Sequence, residues 1–356
     1  MEFIKGLDLN CAFYREVVAP LMQEYDADLK YSAALMGYGS DALGYDNPTS
    51  MDHNWGPRMQ IFVEHSTPEK IADIKQYLAQ HLPFEFKGYP VNFALYLGDG
   101  TCHMEMSEQR PINHLVEVYD IDEYFGGLLH KDILTMQDLD WLCIPEQKLL
   151  ELTSGRVFHD GLRRLQVIRA WLRYYPLDVQ LLKLAAYWQC VAEEEAFIGR
   201  MTEMDDLLGS KLIASRILNT LFKICFVVKE RYVPYSKWFT RGFKELNIPL
   251  LNSLALLIMS GSQPKFIENH LSLFYLDILS LQNNCGRFPL IQKKVVQFYN
   301  RPYSVLMAHN IVAELRSVIS SEQLRNLDLK VVGVDNKMDS VVFTNGDLLS
   351  KLLRGS

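Results

Sequence analysis

The stretch with chemical promise is Gly37-Tyr38-Gly39-Ser40, followed after a turn-rich segment by Ser50-Met51-Asp52-His53-Asn54. A glycine turn lets backbone N–H groups approach an anion closely, and the Ser40 hydroxyl adds a donor, so Gly39 and Ser40 suit phosphate oxygens. Asp52 and Asn54 alternate along the chain. On a β-strand both would face the same side and share a divalent cation. Magnesium takes oxygen ligands and keeps several positions for phosphate and water. The pattern therefore implies chemistry on a magnesium-bound phosphate chain. Asn54 is a neutral ligand, which weakens the grip on a hard cation by one negative charge. His53 reads as a hydrogen-bonded loop histidine, and Asp46, before Asn47-Pro48, as a turn residue.

Gly-Ser after an apolar strand, then Ser-x-Asp-x-Asn, then an acid between aliphatic residues at Val116-Glu117-Val118 resembles the polymerase-β-like nucleotidyltransferase superfamily. The resemblance implies transfer of a nucleoside monophosphate from a Mg2+-bound triphosphate, ATP first among them, to an acceptor hydroxyl. It implies Asp52, Asn54 and Glu117 as metal ligands, with Asp52 and Glu117 catalytic. Asn54 stands where that family has its second Asp. Glu105, between Met104 and Met106, is a rival for Glu117. Trp55-Gly56-Pro57 interrupts the strand where the family continues with aliphatic residues, and Pro57 predicts an edge strand or bulge.

The likeness extends further along the chain. The runs 152–161, Tyr174-Tyr175-Pro176, Glu193-Glu194-Glu195-Ala196-Phe197 and 232–238 are similar to a bacterial branch of that superfamily, a domain of unknown function. There the catalytic domain precedes a helical substrate domain, as in antibiotic adenylyltransferases, in which a helical-domain Glu deprotonates the acceptor. The likeness carries no substrate with it. A Glu among Glu193, Glu194 and Glu195 could serve as that base, Glu194 being the chosen candidate; successive residues point about 100° apart on a helix, so which of the three faces inward stays open. The alternative is a solvated acidic face or a partner for Arg200. Tyr235-Ser236-Lys237 follows Pro234 at a helix start, where hydroxyls, free N–H groups and an ammonium suit the β- and γ-phosphates. The alternative is a capped helix with an exposed Lys237 and a buried Trp238. His159-Asp160-Gly161 reads as the turn into a helix, with Asp160 as its cap. The aromatic residues Tyr174, Tyr175, Tyr187 and Trp188 read as core.

These residues need a scaffold. Residues 8–27 read as an amphipathic helix and 31–36 as a strand ending in the glycine turn. Residues 58–64 read as a second strand, and Thr67 and Pro68 start a helix to about residue 81. Further strands are expected at 91–97 and 114–119. Helical spacing then takes over at 146–152, 161–172, 178–198, 205–232, 236–246, 264–282, 289–299 and 302–319. Residues 330–334 and 340–343 flank 335–338 as a hairpin or extended return. The expected fold class is α+β: a small nucleotidyltransferase-type mixed sheet over about 1–150, a helical bundle substrate domain over 151–325, and a return segment at 326–356.

Composition narrows the partners. Lys and Arg total 36 against 43 Asp and Glu, a net charge of −7, so there is no basic footprint for duplex DNA. The six cysteines form no CxxC pair and read as free thiols in a reducing compartment. Acidic Glu2 and Asp8 argue against a signal peptide, and the longest apolar run, 249–259, is too short for a membrane span. A cytoplasmic location with no membrane partner is expected. The expected ligands are a nucleoside triphosphate and an unknown small-molecule or macromolecular acceptor. Two rival functions stay open: a nucleotide-binding regulatory protein weakened by Asn54, and a toxin-like transferase modifying RNA or protein. The sequence leaves acceptor, nucleotide preference and oligomeric state undetermined.

Overall fold

In the computed structural model, which describes residues 2–354 except 97, 99, 130, 132 and 338–345, the chain opens with one helical run. It comprises α1 (Gly6–Phe13), a π-helical segment (Tyr14–Val18) and α2 (Ala19–Tyr25). Leu9, Phe13, Val18 and Met22 recur at helical spacing and are fully buried, which gives the run its inward face. The chain divides into two compact units, one of residues 1–136 and 148–173, the other of 137–147 and 174–356. The architecture is α+β, with an N-terminal mixed sheet followed by a C-terminal helical bundle.

The first unit continues with β1 (Ser32–Leu35), β2 (Arg58–Val63) and α3 (Pro68–His81). Two small hairpins follow, β3 (Glu85–Phe86) with β4 (Tyr89–Pro90) and β5 (Phe93–Tyr96) with β6 (Thr101–Met104). Then come β7 (Leu115–Asp120) and α4 (Ile121–Leu129). Next in the chain come α5 (Asp138–Cys143), which belongs to the second unit, and α6 (Glu146–Thr153), most of it in the first, which closes with β8 (Arg156–Asp160) and α7 (Leu165–Trp171). Thr67 caps α3 by accepting the Lys70 N–H, as its position before Pro68 predicts.

Among the described residues the main sheet has four strands in the order β7-β2-β1-β8. β1 is antiparallel to β2 and β8, and β2 is parallel to β7. The end of β1 and the starts of β2 and β7 therefore lie at the same end of the sheet. Ala34, Gln60 and Glu117 form one row across it. Met59, Ile61, Val63, Val116 and Val118 join Leu9, Phe13, Ile74 and Leu78 in the core. Their alternates Arg58, Gln60, Glu117 and Tyr119 consequently share the opposite face.

Three expectations for this unit change. β2 has a partner on each side, so it is not the edge strand expected from Pro57, which sits just before its first residue. Residues 156–160 form a strand paired to β1, and the helix expected from 161 begins at Leu165. Asp160 nonetheless caps that helix: its carboxylate accepts the N–H groups of Leu165 (3.2 Å) and Gln166 (3.0 Å).

The second unit contains α8 (Leu177–Glu203), α9 (Leu207–Val228), α10 (Ser236–Glu245), α11 (Pro249–Ser260) and α12 (Pro264–Asn284). After them come β9 (Val296–Phe298), β10 (Arg301–Val305), α13 (Ala308–Ser317), α14 (Glu322–Asn326), α15 (Val334–Lys337) and α16 (Gly346–Arg354). Residues 179–188 of α8 are buried all round, Tyr187 and Trp188 among them, as befits a central bundle helix. The charge in that stretch is neutralised within the core. Lys183 Nζ lies 2.8 Å from Glu146, with side chains 3% and 0% exposed. Glu146 also accepts the Val233 N–H at 2.8 Å, and its own N–H donates to Asp335 at 2.9 Å.

The helix expected at 289–299 is absent. Asn283 donates to the Ile291 carbonyl (2.8 Å) and accepts its N–H (3.0 Å), which satisfies the backbone groups a helix would use, and β9 follows. β10 takes the first residues of the helix expected at 302–319, which starts at Ala308. Residues 330–333 form turns rather than a strand, α15 begins at Val334, and the strand expected at 340–343 lies outside the described residues. All six cysteines are free thiols. Among the described residues no helix is long and apolar enough to cross a membrane.

Removing one charge of the Lys183–Glu146 pair strands the other in the core. Glu146→Gln should lower unfolding free energy by about 3–5 kcal/mol in urea denaturation, and adding Lys183→Met should recover part of the loss.

Candidate functional site

The glycine loop is shaped by a buried cation. β1 ends at Leu35, and Gly37 and Gly39 then take φ values of 92° and 113°, a region that favours glycine. Inside the loop lies the Arg58 guanidinium, only 3% exposed. It donates to Asp41 Oδ2 at 3.0 Å, to Asp41 Oδ1 at 2.8 Å and to the Tyr38 carbonyl at 2.7 Å. The Tyr38 ring centroid is 5.1 Å from the guanidinium carbon. A Cβ on Gly39 would run into both Asp41 Oδ1 and Arg58 Nη2. Gly39 thus serves close packing of the ion pair as well as the turn.

The loop is tied to the first helix. The Arg58 N–H donates to Asn10 Oδ1 at 2.6 Å, and Asn10 Nδ2 donates to the carbonyls of Gly6 (2.9 Å) and Gly56 (3.1 Å). Asp46 is buried and does more than make a turn. Its Oδ2 accepts the Gly6 N–H at 2.7 Å and the Trp55 indole N–H at 3.1 Å.

Asp52 and Asn54 are not on a strand, which corrects the alternation argument. The Trp55 N–H donates to the Asp52 carbonyl at 3.1 Å, closing a turn in which His53 and Asn54 have φ of 43° and 61°. Asn is among the residues that best tolerate this left-handed backbone. Asn54 is fastened to β6: its N–H donates to the Cys102 carbonyl at 2.7 Å and its Oδ1 accepts the Cys102 N–H at 2.8 Å. Asp52 is half exposed, with His53 Nδ1 at 2.7 Å.

Glu117 stands on β7 in register with Gln60, whose Oε1 accepts the Met36 N–H at 3.1 Å. Burial raises the Tyr38, Tyr119 and Tyr124 hydroxyls above their ordinary pKa, and the Glu117 carboxylate raises each further. Arg58 opposes this at Tyr38, while Cys102 and Asp41 add to it. Tyr38, an exposed side chain, thus lies within electrostatic reach of the glycine loop, β2, β6 and β7. Glu105, the rival acid, is exposed in the segment after β6.

Asp52 and Glu117 supply oxygen donors, which suit magnesium better than a softer metal. Asn54 Oδ1 already serves a backbone N–H. Among the described residues no three His, Cys, Asp or Glu side chains gather closely enough to hold a metal by themselves.

In the helical unit the three acids of α8 part company. Glu195 is 3% exposed and accepts the N–H groups of Leu306 (2.7 Å) and Ala308 (2.9 Å), holding the start of α13. Burial raises its pKa, with those N–H groups opposing the rise. Glu194 pairs with Arg216 at 2.7 Å rather than with Arg200, and Glu193 accepts from Gln189 at 3.1 Å. Tyr235, Ser236 and Lys237 are exposed at the start of α10. The Tyr235 N–H is taken by Gln147 at 3.1 Å, and Lys237 Nζ lies 5.1 Å from the centroid of the half-buried Trp238 ring.

Arg58, Asp41 and Asn10 were not picked out by sequence reasoning. A signal for Arg58 was present: polar 58 and 60 alternate with apolar 59, 61 and 63, the mark of a strand with one polar face. Asn10 offers no such signal within its helix.

Residues 141–239 match a protein family described as "Domain of unknown function (DUF4037)". The match is well under half of the chain. It takes in Glu193–195 and 235–237 but neither the 37–54 stretch nor Glu117. No curated protein and no solved structure matches the chain.

Arg58→Met should cost about 3–5 kcal/mol in urea denaturation, because it leaves Asp41 charged and buried. Gly39→Ala should also destabilise, and the two changes should be less than additive because they loosen the same contact. Ser40→Ala should stay within about 0.5 kcal/mol of the parent.

Proposed function

We propose that the sheet unit binds a nucleoside triphosphate, ATP preferred, beside the glycine loop, and that the protein transfers its nucleoside monophosphate to an acceptor hydroxyl. What carries this reading is that the Gly39-Ser40 loop leaves β1 at the same end of the sheet where the Asp52 turn enters β2 and Glu117 enters β7. Gly39 and Ser40 would offer N–H and hydroxyl donors to phosphate oxygens. Arg58, locked onto Asp41, would keep the loop in shape and leave phosphate contact to others. Asp52 and Glu117 would hold magnesium, which when bound supplies the charge that neutralises the triphosphate. The acceptor oxygen would bond to the α-phosphorus as the bond to the β-phosphate oxygen breaks, releasing pyrophosphate.

A second reading, a nucleotide-binding protein with weakened turnover, is favoured by Asn54. It is neutral, and its amide oxygen is engaged by the Cys102 N–H. A transferase acting on RNA or protein is a third class, separated by incubating labelled nucleotide with lysate and asking whether label enters macromolecules or low-mass products.

Calorimetry with ATP, GTP, CTP and UTP plus magnesium, run beside a pyrophosphate-release assay over an acceptor panel, tests these readings. The transferase should bind ATP and release pyrophosphate, and Glu117→Gln should cut release by about 100-fold or more. Binding without release, with turnover appearing in Asn54→Asp, selects the weakened binder. No nucleotide binding by the parent chain defeats both.

A further inference from the structure

β7 is the outer strand of the main sheet, with β2 as its one neighbour among the described residues. The register fixes which of its backbone groups face outward. The Gly161 N–H donates to the Tyr31 carbonyl, so Tyr31 and its alternates in β1 face β8, while Ser32 and Ala34 face β2. Phe62 and Gln60, opposite those two, face β1, which leaves Met59 and Ile61 to bond β7. In a parallel pair a residue bonds the neighbours of the one opposite it, so Glu117, opposite Gln60, bonds Met59 and Ile61. The N–H and C=O groups of Val116, Val118 and Asp120 therefore point away from the sheet. The Val116 N–H donates to His114 Nδ1 at 3.1 Å. Among the described residues nothing accepts the outward N–H of Val118 or Asp120, although these residues are only 1% and 6% exposed.

A groove of about 690 Å³ lies along this edge, with residues 118–120 in its lining. Ile71 and Lys75 of α3 form one wall, and Tyr124, Gly127 and Leu128 of α4 the other. Val118 packs into the core on the α3 side, whereas the Tyr119 ring is 4.9 Å from that of Tyr124 on the α4 side. The walls thus stand over opposite faces of the sheet, and the space between them continues its plane. Outward donors and acceptors recur there at every second residue, about 6.6 Å apart, which is the repeat of another extended chain. The groove ends differ in charge. His114 Nε2 reaches the Lys75 carbonyl at 3.1 Å, which sets Lys75 toward the start of β7. Its ammonium lies 5.5 Å from the Tyr119 centroid. At the other end Glu123 is exposed, and its N–H donates to Asp120 Oδ1 at 3.3 Å. The neighbouring acids are spent: Asp120 also takes the N–H groups of Ser66 and Asp122, and Asp122 pairs with Arg164.

We infer that the β7 edge receives an extended, mainly apolar segment of another polypeptide as a fifth strand. Antiparallel pairing is the more stable per residue. That direction puts a basic residue at the segment's N-terminal end beside Glu123 and an acidic one toward Lys75. Such binding needs no nucleotide and does not depend on the transferase reading.

The probe is fluorescein-labelled Lys-Val-Thr-Val-Thr-Val-Glu amide, titrated into the full chain by anisotropy. It should bind about threefold or more tightly than the peptide with Lys and Glu exchanged. N-methyl groups on alternate residues remove one row of its donors. One alternate set should cut binding about tenfold or more and the other should leave it within about threefold, because only one row faces β7. The bound peptide should slow amide hydrogen exchange at Val118 and Asp120 and leave Glu117 and Tyr119, already bonded to β2, unchanged. Gly127→Trp places a ring in the groove from a position where an added Cβ meets nothing within 4 Å, and should weaken the probe about tenfold or more. Glu123→Lys, at an exposed position, should weaken it about threefold and serves if Gly127→Trp fails to fold. No binding by the parent chain, equal loss from both methylated sets, unchanged exchange at Val118, or binding indifferent to both variants overturns the inference.

Discussion

The sheet unit is organised around the contact between Arg58 and Asp41. A guanidinium and a carboxylate taken out of water are costly unless the geometry is good and the remaining donors are satisfied. Here two parallel hydrogen bonds join the pair, the Tyr38 carbonyl takes a third, and the Tyr38 ring covers the cation. Meeting those demands fixes the neighbourhood. Position 39 must lack a Cβ, the loop must turn its carbonyl inward, and the start of β2 must sit against α1 through Asn10. The loop that would receive phosphate is thereby preformed, and its glycines answer to a buried ion pair as much as to any ligand.

The helical unit repeats the device with different parts. Glu146 neutralises Lys183 in the bundle core and at the same time takes the Val233 N–H, two residues before the exposed Tyr235. Glu195 spends its carboxylate on the start of α13. Buried acids here close off backbone groups, since an unsatisfied N–H in the core is costly. Glu194 differs from both, being less buried, paired to an arginine and facing a cavity.

Much of the frame was legible in the chain. The capped α3, the strand ending in the glycine turn and the long helices follow from periodicity and from Thr67, Pro68 and the glycines, because those signals act within a few residues. Readings failed where a distant group overrode local preference. Residues 289–299 have helical spacing, but Asn283 captures the backbone of Ile291. Residues 156–160 carry no strong strand pattern, and β1 supplies the ladder that makes them a strand. At the candidate site, residues 52 and 54 alternate as a strand would, yet Cys102 of β6 holds Asn54 in a left-handed turn.

The sequence alone determined the α+β class and the order of sheet before bundle, because composition and short-range pattern suffice for these. Only the tertiary structure decided which charges would be partners. That Arg58 locks onto Asp41 and that Arg216 and not Arg200 takes Glu194 depend on strand register and helix packing. Electrostatic energy between two groups depends on their separation and on the water left around them, and neither quantity is written in the spacing of residues along a chain.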